Sequence, residues 1–505
     1  MIQKLPLNRK LATVCCAILP LLLFAPLSRG QVAPTASLVG TVSDSTGAVI
    51  PNASVTLRNP ETQLTRQTST GGDGQYRFTL IPIGNYNLEV SASGLAPYRQ
   101  SGIRLNVDST ARVDMVLNVG AALQSVTVSA DAVMVNTESG TLNQVVQQRY
   151  IEELPLNGRN AATLVRMVPG TVSGVGTTTA GYANTSETQA ISVNGARGNE
   201  VNYKLDGATH MDNVTNLNAI YPNPDALSEF SVQTSNYSAQ YGDAAGAVVN
   251  IITKSGTNQF HGTAFDFLRN GSLNARNFFA AQHDNLKRNQ FGGTFGGPVI
   301  HDRLFFFGSY QGTPIRNTSF SNTAFVPSAA ERAGDFSALT KRIIDPITNQ
   351  PFDGNIIRAD RISPIARNLL EHVPTTTDPT GLLRYARPDR SDSHQVLGKV
   401  DYNLTHHMLS GSFFYARYND PGWDGDGTLL TARIGQLQTT RTYHAQDVWT
   451  ITPNLLNTLV GSVLLLDSYN TRTSPYSLFD FGDINIAAPA AQTRELELSV
   501  TGYGG

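Results

Sequence analysis

The sequence contains one long apolar run, and it lies at the very start: LATVCCAILPLLLFA, residues 11–25. Lys4, Arg9 and Lys10 stand before it. A basic segment followed by an apolar stretch of this length has the form of a secretory signal peptide, so residues 1–30 are assigned to one, with cleavage expected near Gly30 or Ala33. A single transmembrane anchor is the other reading, but Pro20 and Pro26 interrupt a run already short for spanning. No later run approaches the ~18 apolar residues of a membrane-crossing helix. The chain is therefore expected to be exported and not to be a helical inner-membrane protein.

Cys15 and Cys16 are the only cysteines, and both lie in this segment. They do not form a lipoprotein site, because Val14, not a small residue, precedes Cys15. The exported part is thus expected to lack disulfides, thiolate metal sites and a cysteine nucleophile. Charged residues make up 15%, well below the usual quarter or so, and Gly, Asn, Ser and Thr fill the difference, which suits turn-rich β-structure. A formal net charge of -2 gives no electrostatic pull toward nucleic acid. A chain of 505 residues predicts about two to four domains.

Residues 35–119 read as a small β-sandwich. SLVGTVSD, ASVTLRN, QYRFTLI, YNLEVSAS and ARVDMVLNV alternate or carry β-branched residues, and STGAVIPN, TGGDGQ and PIGN separate them. The run from GTVSDSTGAVIPNASVTLRN to TGGDGQYRFTLIPIGNYNLEVSASGL resembles the carboxypeptidase regulatory-like domain. In that family the sandwich is an accessory module and not the peptidase. Consistently, the chain has no HxxE, HExxH or GxSxG. Asp73 could hold a cation or serve as an ordinary turn residue. A carbohydrate-binding role is conceivable for such a sandwich, although no aromatic platform stands out.

Residues 120–255 change character. QSVTVSAD (124–131) is a short strand-like run. In VVQQRYIEELPLNGRN, Val146, Tyr150 and Leu154 recur at helical spacing, which predicts a helix ending near Pro155. NAATLVRMVPG suggests a second short helix, and TVSGVGTTTAGYANTSET a soft segment. QAISVNGARG and NEVNYKLDG read as two strands around a turn. Asp206 is expected as a turn acceptor, with Lys204 on the same side of the strand as a solvated partner. His210 has Asp212 as its only close candidate partner for a metal.

The succession VTVSA, LPLNGRN, VPG, VNGARGN, YKLDG, EFSVQTSNYSAQYG and GAVVNIITKSGTNQFHG resembles the plug of an Oar-like TonB-dependent outer-membrane receptor. Residues 256–505 fit the barrel that would follow. NQFHGTAFDFLRN alternates, and LGKVDYNLTHHMLSGSFFYARY and AQDVWTITPNLLNTLVGSVLLLDSY each read as strand, turn, strand. RNQFGGTFGGPVIHDRLFFFGSYQG (288–312) resembles a hairpin of that barrel, with Phe305–Phe307 expected at the lipid or in an aromatic girdle rather than in a core. Residues 313–390 are expected to form a long, irregular extracellular loop.

The resemblance implies a mainly β protein: a sandwich at 35–119, an α+β plug at 120–255 and an incomplete antiparallel transmembrane barrel at 256–505. It implies outer-membrane lipid as surroundings and a TonB-type periplasmic energy-coupling protein as partner. It also implies an unidentified ligand (siderophore, oligosaccharide or peptide), with no cofactor and no catalytic or metal site. Ser125, Val126, Thr127 and Val128 sit where the TonB-contacting segment would lie, and a plain linker strand is the other reading. The stretch VNGARGNEVNYKLDGA resembles the plug hairpin, and Asn194, Gly195, Arg197 and Asp206 are its turn or ligand-facing candidates. Receptors of this type have about 22 strands, whereas some six to ten are countable after residue 256, and the sequence ends in TGYGG. A truncated or split reading frame is the expectation, and a second chain completing the wall is the alternative. A surface binding or adhesion protein without transport is the competing function.

Overall fold

The computed structural model describes residues 34–472, apart from 120–125, 130–139, 155, 174–189, 239, 243–244, 277, 279–281, 423–433 and 453–454. The signal segment, most of TVSGVGTTTAGYANTSET, and Ser125 lie outside the described residues.

The N-terminal unit is built from β1 (Thr35–Asp44), β2 (Ser54–Arg58), β3 (Thr65–Ser69), β4 (Gln75–Pro82), β5 (Gly84–Ser91), β6 (Tyr98–Leu105), β7 (Thr110–Arg112), β8 (Met115–Leu117) and β9 (Val126–Ser129). One sheet runs β4-β1-β7 with β8 also on β1, and the other runs β3-β2-β5-β6-β9. Alternate residues of the two sheets, among them Leu38, Val55, Phe78, Leu88 and Ile103, meet in one core, as half-buried strands require. Asp73 is a turn residue: its carboxylate accepts the Gln75 N–H at 3.1 Å.

The second unit contains β10 (Leu142–Gln147), α1 (Gln148–Glu153), 3-10 turns at Asn157–Arg159 and Ala161–Met167, β11 (Thr171–Ser173), β12 (Ile191–Val193), β13 (Val201–Leu205), β14 (Ala208–Thr209), β15 (Leu227–Ser235) and β16 (Ala247–Thr253). Its sheet runs β10-β15-β16-β13-β14. Every residue of β16 is buried, so both faces of this strand are covered and its buried positions do not alternate. Two expectations are corrected here. Val146 lies not in a helix with Tyr150 but in β10, opposite Phe230 of β15, because β-branched residues gain a sheet ladder there. Tyr150 is exposed. The strands flanking VNGARGN do not form a hairpin: β12 pairs with β11, while β13 pairs in parallel with β16. The hairpin actually closed is β13–β14, across Asp206 and Gly207, both at positive φ (50° and 79°) as a two-residue type I′ turn demands.

The third unit is one antiparallel sheet in sequence order: β17 (His261–Asn270), β18 (Lys287–Ile300), β19 (Leu304–Phe325), β20 (Leu382–Asn403), β21 (His407–Asp420), β22 (Ile434–Thr452) and β23 (Leu455–Arg472). Among the described residues β17 and β23 are its open edges, and the barrel is not closed. A barrel strand needs about 9–11 residues to cross a bilayer. At 22 residues each, β19 and β20 project well beyond it. The expected loop at 313–390 is therefore shorter, since residues 313–325 and 382–390 are strand. What remains is ordered by α2 (Ala329–Arg332) and α3 (Pro364–Glu371). Ser328 and Glu331 form a capping box, and the Arg332 guanidinium donates to the carbonyls of Leu370, Val373 and Pro374 at 2.6–2.9 Å.

Strand alternation divides the wall into two faces. Phe295, Val400, Phe413, Tyr443 and Val463 are exposed on the outer face, with Phe413 and Tyr443 rings 5.1 Å apart. Phe307, Leu397, Phe414 and Ala416 face inward and share one core with the second unit. This corrects the expectation for the phenylalanine triplet: Phe305 and Phe307 are buried, and only Phe306 turns outward, against Phe295. The period of two leaves no other choice once the inner face is covered.

Candidate functional site

The second unit sits against the inner face of the wall, and two polar seats join them. The first comes from LPLNGRN. Gly158, at φ 75°, turns its carbonyl to accept from Arg288 Nη2 at 3.1 Å and Gln290 Nε2 at 3.0 Å of β18. Arg159 pairs with Asp225 and lays its guanidinium over Phe267 at 4.0 Å and Phe265 at 4.7 Å of β17. A cation over an aromatic face is worth about 0.5–2 kcal/mol, so this motif seats the plug on the first two wall strands.

The second seat is ionic and deeply buried. Asp206 is 3% exposed and Lys399, on the inner face of β20, is 8% exposed. Their closest approach is 3.8 Å. Thr253, the last residue of β16, joins them. Its N–H and hydroxyl donate to the two Asp206 oxygens at 2.9 and 2.8 Å. Lys399 Nζ in turn donates to Thr253 Oγ1 at 3.2 Å and to its carbonyl at 3.4 Å. Burial alone would raise the Asp206 carboxyl, but the Lys399 ammonium, His444 and the Thr253 donors overcome it and hold the pKa below the usual carboxylate value. Asp206 therefore stays ionised as a plug-to-wall tie. The expected solvated pair with Lys204 does not form. Lys204 is itself buried, its Nζ lies 3.5 Å from the Gly207 carbonyl and 5.7 Å from the Tyr241 ring.

The remaining candidates separate in space. Asn194, Gly195 and Arg197 are exposed on the β12–β13 connection, with β13 between them and Asp206. Asn194 (φ 51°) donates through Nδ2 to the Thr234 carbonyl at 2.8 Å, and Arg197 N–H donates to Glu200 Oε2 at 3.0 Å. His210 is fully buried. Its Nε2 lies 2.8 Å from the Ile220 carbonyl and its Nδ1 3.3 Å from Thr442 Oγ1 on β22. Burial pushes its pKa down to about 4, so it is a neutral core residue. Asp212 turns away into its own loop, accepting from Val214 N–H and Thr215 Oγ1. Among the described residues no group of three or more His, Cys, Asp or Glu could hold a metal.

Val126, Thr127 and Val128 belong to β9, which lies in parallel on the edge of the sandwich, in register with Tyr98, Arg99 and Gln100 of β6. Local sequence gave no hint of Thr253 or Lys399. Alternation does put Lys399 on the same face of its strand as Leu397, but a partner 193 positions away in numbering is visible only in the fold.

A plug sheet seated inside an antiparallel wall, behind an N-terminal sandwich, defines the class of outer-membrane receptor barrels. Sequence comparison gives the same order. The carboxypeptidase regulatory-like domain matches residues 37–118, the TonB-dependent receptor plug domain 135–249, and the outer membrane beta barrel domain 252–504. The last spans half of the chain, and the chain belongs to that outer-membrane barrel family, with the domain arrangement of an Oar-like TonB-dependent receptor. It is 26% identical over 321 residues to the TonB-dependent transporter Oar of Myxococcus xanthus, covering 60% of this chain and 29% of that protein. This chain thus spans less than a third of the length of that relative. Among solved structures, the outer membrane transporter YddB from Escherichia coli matches with TM-score 0.34 and 13% identity, over 65% of this chain and 48% of its own. The siderophore receptor PirA from Acinetobacter baumannii matches with TM-score 0.32 and 14% identity, over the same shares.

Proposed function

We propose that the protein acts in the outer membrane as an energy-coupled receptor that moves a ligand past its plug. The observation that carries this reading is the buried Asp206–Thr253–Lys399 tie, which holds the plug to the wall by polar side-chain contacts and not by strand pairing. In this reading Val126–Ser129 is the strand offered to a TonB-type periplasmic protein. As the last strand of its sheet, β9 has one edge free among the described residues, which suits strand addition by a partner. The ligand class stays with the siderophore, oligosaccharide and peptide alternatives. We propose no catalytic role, since Asp206 and His210 are both engaged in structural contacts and neither is exposed to a substrate.

The test uses the receptor solubilised from the outer membrane of its own cells and the immobilised C-terminal domain of their TonB-type protein. Successive residues of a strand donate to opposite edges, so Val126→Pro with Thr127→Pro removes a donor from both. Capture by the immobilised domain is expected and should be lost in the double variant. Equal capture of both forms would remove the segment from the mechanism.

A further inference from the structure

The sandwich is bolted to the plug by its own corner. β6 ends at Leu105 and β7 begins at Thr110, and the connection between them is held against the plug sheet. Glu229, in the inner strand β15, is fully buried. It accepts from Arg104 Nη2 at 2.7 Å and from the Val107 N–H at 2.9 Å. Asp108, at φ 54°, is a hub. It accepts from Ser231 Oγ of β15 at 3.2 Å, from Asn250 Nδ2 of β16 at 3.2 Å and from Tyr241 Oη at 2.7 Å. Charge-assisted bonds of this kind are roughly twice as strong as neutral ones, and pulling the corner away would leave the fully buried Glu229 without the two donors that offset its burial.

The position of this corner in the chain gives it a mechanical meaning. β9 is laid along β6, the strand that leads into the corner. On its other side, β9 is followed by the plug strand β10, which pairs with β15 so that Gln147 faces Glu229 and Val145 faces Ser231. Both flanks of the segment are thus anchored on the same residues of β15. β15 pairs with β16, whose last residue is Thr253, and Thr253 holds the tie to Lys399.

Building on the proposed role of Val126–Ser129, we propose that the Arg104–Asp108 corner is a force-transmitting clamp. Through Glu229, Ser231 and Asn250 it makes the sandwich a working part of the plug, so that tension on β9 is delivered to β15–β16 and releases Thr253 and Asp206 from Lys399. The sandwich is then not a passive accessory. Asp108 and Glu229 are positioning residues: they touch no ligand and act through β15 and β16.

Residues 17–505 contain no cysteine, which makes a clean reporter possible within them. Ala208→Cys, at a buried position of β14 two residues from Asp206, is introduced in the receptor gene of the source cells. Its labelling by a membrane-impermeant maleimide is followed with and without the proton gradient. Association with the TonB-type protein is read in the same cells by formaldehyde cross-linking. With the clamp intact, labelling should rise on energisation. Asp108→Gly removes the carboxylate at a position whose φ glycine accepts, and Glu229→Gln keeps the side-chain shape. Combined, they should bring labelling down to the de-energised level while the cross-link persists. Asp108→Asn alone, which retains an acceptor oxygen, should keep the rise. The cross-link with an undiminished rise in the double variant would overturn the clamp. If the combined variant does not reach the outer membrane, Asp108→Gly alone, which alters only the sandwich side, decides between the same outcomes. Loss of the cross-link with the clamp intact would instead overturn the role of Val126–Ser129, and the clamp with it.

Discussion

At the scale of single residues, the plug–wall seam rests on a few buried polar groups whose cost of isolation is high. Removing Lys399 as Lys399→Met leaves Asp206 in the seam without its nearest cation, with the Thr253 donors and His444 remaining. Breaking one side of a buried pair costs about 3–5 kcal/mol, and the lower end is expected because the charges stand 3.8 Å apart. Thermal unfolding of the receptor in detergent should show the loss, and Asp206→Asn added to Lys399→Met should recover part of it. A double variant no more stable than the single would show that Asp206 is not ionised there. His210 sets a pH dependence of known sign. Its folded pKa is depressed to about 4 from 6.5, so its contribution is fully present above pH 6.5. It is lost as pH falls toward 4, because the unfolded chain takes up a proton that the folded one refuses. At 1.36 kcal/mol per unit the loss reaches about 3 kcal/mol. Urea unfolding at pH 7, 5.5 and 4 should give a smaller difference for His210→Gln than for the parent, and identical pH slopes would refute the assignment.

At the scale of elements, local sequence signals succeed where the chain folds on itself and fail where distant strands compete. Asp206 and Gly207 are legible as turn residues, and the structure closes a two-residue hairpin on them between β13 and β14, whereas the hairpin expected around VNGARGN does not form. A β-branched residue at φ 79° is strained by roughly 1–2 kcal/mol, so Gly207→Val should destabilise the receptor by that amount in the same melt. An unchanged melting temperature would mean the turn relaxes freely. Val146 shows the opposite case. Its helical spacing with Leu154 is real, but pairing with Phe230 decides its conformation, and nothing near residue 146 announces residue 230. The phenylalanine run 305–307 is read correctly as strand and assigned to the wrong face, because a strand pattern gives alternation without saying which side is covered.

At the scale of the whole molecule, the wall is amphipathic about a membrane rather than about water. Trp449 is exposed on β22 and stacks on His407, ring centroids 5.4 Å apart, close to the short 404–406 turn. Tryptophan at such a level belongs to the interfacial girdle. With Trp423→Phe leaving Trp449 as the only tryptophan of residues 1–505, its fluorescence in bilayers should be quenched more by bromines near the headgroups than by bromines near the chain ends. The reverse order would place this end of β22 at the bilayer centre.

The sequence by itself determined the three-part order of sandwich, plug and wall, the β-rich class, the export signature as an expectation, and the turns in which a residue's own φ decides the geometry. These are set by short-range physics: alternation, turn chemistry and apolar run length. Tertiary structure alone decided which strands pair, which face of each wall strand meets the plug, and which charges meet. Asp206 with Lys399, Glu229 with Arg104 and Asp108 with Asn250 are separated by more than a hundred positions each. Their attraction becomes large only after folding has excluded water from between them, so no local pattern could record it.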